Sequence, residues 1–199
     1  MANYQITGKI TSVSINKDIE ETQQEEIIKE NVILPEDSPA RMKTLRFEGK
    51  KWYLTTVYHK DNYDQPFALF CQTNSPEKTV TTSDAVERVF ALARSKGILE
   101  EHILSTEAKI AKGNNVDKLT RSISLLLRHG VLVRNIVTCL DDVEDVFVGS
   151  FIFHLKKFLS AYIKNGQVAE GKACTECGGV LHFSEGCLVC TSCGNSKCG

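Results

Sequence analysis

The stretch from Cys174-Thr-Glu-Cys177-Gly-Gly to Cys190-Thr-Ser-Cys193-Gly decides how the end of this chain folds. It contains two Cys-x-x-Cys-Gly units whose cysteine pairs are separated by twelve residues. Each unit predicts a tight knuckle that directs two thiolates at one ion, and the glycine after the second cysteine allows the turn. Four thiolates in a tetrahedral array suit zinc. The spacing therefore predicts a zinc ribbon over residues 169–199, with ligands Cys174, Cys177, Cys190 and Cys193.

A disulfide framework is the alternative interpretation of so many cysteines. The chain opens with Met-Ala-Asn-Tyr and shows no apolar signal segment. We therefore expect a cytoplasmic protein, and thiols stay reduced in the cytoplasm. This expectation favours structural zinc as the cofactor.

Two cysteines near the ribbon are left over, because four ligands fill a zinc ion. In the first ligand set these are Cys187 and Cys198. In a second set, Cys187 and Cys190 form the distal pair, and Cys193 and Cys198 become a free dithiol. Cys198 follows Lys197, and a nearby cation lowers the pKa of a thiol. Cys198 and Cys187 are therefore candidate redox thiols, unless Cys187 is a buried apolar side chain and Cys198 is idle.

Size and composition allow one ordinary domain and a small module. The chain has 199 residues, 42% of them hydrophobic, with 24 basic and 25 acidic residues and a net charge of −1. Such a balance predicts no strong electrostatic field, which disfavours binding dominated by nucleic-acid phosphates. No apolar run approaches the roughly 20 residues that span a bilayer. The domain prediction is an N-terminal strand region with an acidic linker (1–40), an α+β domain (41–168) and the ribbon (169–199).

The first half of the central region predicts antiparallel strands. Between Arg41 and Gln72, short aromatic and β-branched runs alternate with polar turns, which indicates a β-meander. The first turn is expected at Glu48-Gly49-Lys50 and the second over His59–Pro66. Earlier, apolar alternation from Tyr4 to Ile15 indicates one or two further strands.

The second half of the central region predicts helices. Asp84 and Glu87 resemble a capping box for a helix that ends at Gly97. Further helices are expected over Glu100–Lys112, from a cap at Asn115 to Gly130, over Val133–Leu140, and from Ser150 to Gly166. Their apolar stripes are core faces. The fold class is therefore α+β: a meander packed with helices, followed by a small zinc ribbon.

No enzyme signature is found in the sequence, which lacks a phosphate-binding glycine loop, a His-Glu-x-x-His motif and a nucleophile elbow. The histidines at 102, 129, 154 and 182 have no neighbour at metal-binding or catalytic spacing. We expect them to be core or surface residues.

Besides the cysteine-rich end, three segments carry a family resemblance: Lys51-Trp-Tyr-Leu-Thr-Thr-Val57, Pro66-Phe-Ala-Leu-Phe70 and Arg121-Ser-Ile-Ser-Leu-Leu-Leu-Arg-His-Gly130. With them, the chain from Arg41 to Gly199 resembles the C-terminal region of adenosylcobalamin-dependent (class II) ribonucleotide reductases, a TSCPD-like domain with a zinc ribbon. The resemblance is most specific over Cys174 to Cys198. The Thr-Ser-Cys-Pro-Asp element is replaced by Val148-Gly-Ser150-Phe-Ile152, and the catalytic barrel is absent.

The resemblance implies a stand-alone reductase tail rather than a self-sufficient reductase. It would be an accessory or split subunit in deoxynucleotide synthesis, and its tail thiols would carry reducing equivalents by thiol–disulfide exchange. The expected partner is a protein, either a reductase-like barrel or another large assembly. The alternative is a non-enzymatic zinc-ribbon adaptor for a protein machine or nucleic acid, although the ribbon has few basic residues for binding nucleic acid.

Overall fold

A computed structural model describes residues 34, 36–47, 49–60, 62–73, 82–143 and 146–198, apart from the side chains of Glu170, Lys197 and Cys198. The predicted N-terminal strands therefore lie outside the described residues. The fold is α+β, as the sequence predicts: a three-stranded antiparallel meander, helices, and a small four-stranded region that contains the cysteine cluster.

The meander consists of β1 (Ala40–Phe47), β2 (Lys50–His59) and β3 (Asn62–Thr73), paired in that order. Its inner face is set by alternation, since Trp52 and Leu54 on the central strand are fully buried. The predicted turn over His59–Pro66 is wrong. Strand β3 begins at Asn62, and an irregular register that pairs Tyr58 with Pro66 absorbs the extra residues of the hairpin.

Five helices follow the meander in the described part of the chain. Their bounds are α1 (Ser83–Ser95), α2 (Glu100–Ile110), α3 (Asn115–Arg128), α4 (Val133–Asp141) and α5 (Phe151–Ser160). Every predicted helix is present. The last one ends six residues before Gly166, because turns replace the helix after Ser160.

The predicted N-terminal cap is confirmed for α5 and is wrong for α1 and α3. Ser150 caps α5, with its side chain accepting a hydrogen bond from the Phe153 N–H at 3.2 Å. The cap of α3 is Asn114 rather than Asn115. The predicted capping box at Asp84 does not form, because α1 begins after Thr82 and Asp84 pairs instead with Arg88 one turn later.

Helix α3 covers the outer edge of the meander. The Ser124 hydroxyl accepts a hydrogen bond from the Leu69 N–H at 2.8 Å and lies 2.8 Å from the Leu69 carbonyl oxygen. Leu69 is on β3, an edge strand whose backbone groups would otherwise need other partners. A buried serine on the helix thus takes the place of a neighbouring strand.

The C-terminal strands are β4 (Val168–Ala173), β5 (Val180–Ser184), β6 (Cys187–Cys190) and β7 (Ser196–Cys198), paired antiparallel in that order. Phe183 and Leu188 are buried in the same hydrophobic core as the helices. No helix of the described part of the chain has the length and apolar character needed to cross a membrane. The domain boundaries at residues 40 and 168 stay a prediction.

Candidate metal centre

Two backbone turns of the same shape carry the four clustered cysteines. In the first, the Gly178 N–H donates to the Cys174 carbonyl at 2.8 Å; in the second, the Gly194 N–H donates to the Cys190 carbonyl at 2.9 Å. Gly178 and Gly194 have φ angles of +71° and +75°. These left-handed conformations favour glycine, which explains the glycine after each Cys-x-x-Cys pair. Each turn directs two sulfurs toward the other turn.

A third glycine lets the two turns approach each other. A Cβ atom on Gly179 would lie 2.7 Å from Ser192 Oγ, 3.0 Å from Ser192 Cβ and 3.1 Å from Cys190 Sγ. Contacts this short require a neighbour to move. Gly179 therefore serves close packing between the turns, a role distinct from that of Gly178.

The four sulfurs form a compact cluster. The Sγ atoms of Cys174, Cys177, Cys190 and Cys193 all lie within 4.8 Å of one another. The Cys174–Cys193 and Cys177–Cys190 sulfur pairs are 3.6 Å and 3.5 Å apart. Ligands about 2.3 Å from a tetrahedral zinc ion are separated by roughly 3.8 Å. The cluster can hold a metal ion, and its donors fit zinc.

The pKa values of the clustered thiols are shifted in different directions. The Cys193 backbone N–H lowers the pKa of Cys190 to about 6, and the Glu176 backbone N–H lowers the pKa of Cys174. The pKa of Cys177 is raised to about 12: the Gly179 backbone N–H lowers it, but hydrogen bonds with Cys193 and Cys190 outweigh that effect. Deprotonation of all four thiols requires a compensating positive charge, which a metal cation supplies.

Cys187 lies outside the sulfur cluster. It is disulfide-bonded, whereas the four clustered cysteines are free thiols. In the register of β6 and β7, the residue opposite Cys187 is Cys198. The structure thus groups the first of the two predicted ligand sets. The side chain of Cys198 lies outside the described part of the structure, so its redox role stays a prediction.

Ion pairs connect the ribbon to the helices. Lys172 on β4 lies 3.3 Å from Asp141 Oδ2 and 3.2 Å from Asp142 Oδ1, and Lys156 on α5 pairs with the other oxygen of Asp141. The side chains of Lys156 and Asp141 are only 11% and 13% exposed. No sequence pattern indicates this network, because its members come from three elements.

The remaining described cysteines are poor nucleophiles. Burial raises the pKa of Cys71 to about 12 and that of Cys139 to about 11, so both thiols stay protonated at neutral pH.

One histidine contact was missed by the sequence analysis. The rings of His102 and His129 lie 5.1 Å apart, on α2 and just after α3. No sequence spacing could indicate this pair, which depends on the packing of the two helices.

Comparisons with known proteins add no relative. No family model, curated protein or solved structure matches this chain. Functional inference therefore rests on the cysteine cluster, the neighbouring disulfide and the packing around them.

Proposed function

We propose that this chain is a stand-alone counterpart of the class II ribonucleotide reductase tail. In this role zinc links Cys174, Cys177, Cys190 and Cys193, and the disulfide of Cys187 exchanges electrons with a separate reductase barrel in deoxynucleotide synthesis. The observation that supports the proposal is the separation of the two sulfur systems: the cluster contains free thiols, while Cys187 is disulfide-bonded. A disulfide that shares no sulfur with the metal site can open while the metal stays bound.

Space next to Cys187 supports access by another thiol. Cys187 lines a cavity of about 430 Å³ between α5 and the β5–β6 turn, together with Lys157, Ile163 and Glu185. Cys187 itself is half-buried. Lys157 lines the same cavity as Cys187. A cation near a thiol favours the thiolate, which is both the attacking form and the leaving form in thiol–disulfide exchange.

The proposed exchange has two halves that balance. A dithiol donor attacks the disulfide of Cys187, giving a mixed disulfide and one released thiolate. The second donor thiol then displaces the protein sulfur, so the donor becomes a disulfide and this chain a dithiol with two electrons and two protons. The dithiol reduces a disulfide of the partner barrel by the same two steps. Zinc only crosslinks the ribbon.

The partner in this proposal is a protein. Lys172, one of the few basic residues of the ribbon, is engaged by Asp141 and Asp142. The alternative, a zinc-ribbon adaptor for a large assembly, is favoured by the exposed apolar pair Phe147 and Val148 before α5, which are 63% and 82% exposed. An adaptor needs no exchangeable disulfide, and this difference separates the two functions.

The test equilibrates the full-length protein with thioredoxin and its reductase while thiols and zinc are counted together. We expect two thiols to appear per chain, with peptide mapping locating one at Cys187, and no zinc to be released. The reduced protein should then support ribonucleotide reduction by a class II reductase barrel that lacks its own tail.

Two variants make the result specific. Cys187→Ser should abolish support of the barrel, and Cys71→Ser, which removes a buried and protonated thiol, should leave it unchanged. The shuttle function would be refuted if thioredoxin does not reduce the disulfide, or if the Cys187→Ser protein still supports turnover of the barrel. Either result would leave the adaptor function as the proposal.

A further inference from the structure

A groove between α2 and α3 is lined by basic and apolar side chains and by none of the four clustered cysteines. Both helices contribute residues at intervals of three or four, among them His102, Thr106 and Lys109 from α2 and Arg121, Leu125 and Arg128 from α3. Phe70 of β3 completes the lining, and the cavity measures about 270 Å³. Such spacing places each set on one helix face.

The basic groups of this groove are only partly compensated. Arg121 Nε donates to Asp117 Oδ1 at 2.8 Å. Arg128 Nε donates to the Ser124 carbonyl oxygen at 3.1 Å. Neither Arg128 nor Lys109 forms an ion pair within the residues described here. Burial, and then the neighbouring Arg121, lower the pKa of Arg128. Arg128 and Lys109 therefore give the groove positive charge that no carboxylate of the described residues pairs with.

The free hydrogen-bond donors point to an anion as the missing partner. The hydroxyls of Ser124 and Thr106 are used by backbone groups of their own surroundings. The Arg128 guanidinium retains unused N–H donors. His102 Nδ1 is buried with no hydrogen-bond partner in the described structure, although its Nε2 lies 3.6 Å from exposed Glu101. The unused N–H donors of Arg128 and the ammonium group of Lys109 suit phosphate oxygens.

The remaining lining is apolar, and this limits the kind of anion. Ile110 and Leu125 are buried and Phe70 is half-buried, so they form an apolar wall beside the cations. The volume is close to the lower end of small-molecule pockets, about 300 Å³. A bare phosphate would leave that wall uncovered. A phosphate that carries a small apolar or planar group would contact both the cations and the apolar wall.

We propose that the α2–α3 groove binds a small phosphomonoester, with Arg128 and Lys109 holding the phosphate and Phe70 and Leu125 contacting its organic group. None of the clustered cysteines lines this site, so its test is independent of the test of the redox proposal.

The test is calorimetry on the zinc-loaded full-length protein at fixed ionic strength, with three probes. Phenyl phosphate should bind with one-to-one stoichiometry and more tightly than inorganic phosphate, because only phenyl phosphate covers the apolar wall. Phenol should give no measurable binding. Arg128→Gln and Lys109→Gln should each weaken phenyl phosphate binding by about tenfold or more.

Matched controls remove the same charges elsewhere. Arg46→Gln and Lys51→Gln alter exposed residues of the meander outside the groove and should leave the affinity unchanged. If Arg128→Gln does not fold, the exposed Lys109 still provides the test. Four results would overturn the proposal: no binding of phenyl phosphate at millimolar concentration, equal weakening by the controls, equal binding of phenol, or preferential Arg128-dependent binding of a single-stranded oligonucleotide.

Discussion

Replacing Gly179 by alanine should weaken metal binding without removing any ligand. The added methyl group would lie 3.1 Å from Cys190 Sγ and 3.0 Å from Ser192 Cβ. Gly179 does not have a positive φ angle, so the backbone tolerates alanine there. The cost therefore comes from packing against the second turn, which has to move away from the first.

The distance that Cys190 has to move determines the expected loss of zinc affinity. Ordinary contact begins at 3.4 Å, so Cys190 Sγ has to shift by about 0.3 Å. Metal-ligand distances tolerate only about 0.2 Å. We expect the zinc affinity to fall by about tenfold, as for changes to groups that support metal ligands. The overpacking should also lower the free energy of unfolding by about 1–3 kcal/mol.

The assay is zinc competition with a chromophoric chelator, with thermal unfolding of the loaded protein measured in parallel. Gly178→Ala is the control, because its Cβ meets no atom within 4 Å while its φ of +71° is strained. It should lose stability but keep more of its zinc affinity. Adding Ser192→Gly to Gly179→Ala removes two of the three short contacts and should restore part of the affinity.

If Gly179→Ala binds zinc as tightly as the native chain, contact between the turns does not control the site. If Gly178→Ala loses more zinc affinity than Gly179→Ala, backbone conformation rather than contact between the turns controls it. A double variant with no recovery would show that Ser192 does not transmit the effect.

Three further predictions follow from the packing. Removing the metal with a chelator should lower the melting temperature and increase hydrogen exchange around Phe183 and Leu188, because the crosslink supports their burial; unchanged exchange would contradict this. Asp141→Asn should lower the free energy of unfolding in urea by about 3 kcal/mol, because two lysines lose their shared carboxylate, whereas Asp64→Asn, 80% exposed, should change it little. The native Cys71 thiol keeps its proton up to about pH 12, while the unfolded thiol ionises near pH 9.0, so unfolding releases a proton and stability should fall as pH rises through this interval; Cys71→Ala should show a shallower fall, and an unaltered slope would refute the assignment.

Local sequence was sufficient for most of the secondary structure. Alternation and apolar stripes predicted the meander and every helix of the described residues, because period and burial face are local properties. Exact helix caps were less predictable. Thr82 precedes α1, but its hydroxyl donates to the Asn115 carbonyl oxygen at 2.8 Å instead of capping its own helix. A tertiary contact thus overrode the local capping signal.

What the sequence determined by itself is the pair of Cys-x-x-Cys-Gly turns. Two residues between paired cysteines and a glycine after each pair dictate the turns, since bond geometry and the left-handed backbone act over five residues. Only the tertiary structure decided which sulfurs share one centre and that Cys187 stands apart from it. It alone also brought Lys172 to Asp141 and placed Arg128 and Lys109 in one groove. These arrangements join elements that are distant in sequence, and packing of their apolar faces, which no local pattern encodes, sets their distances.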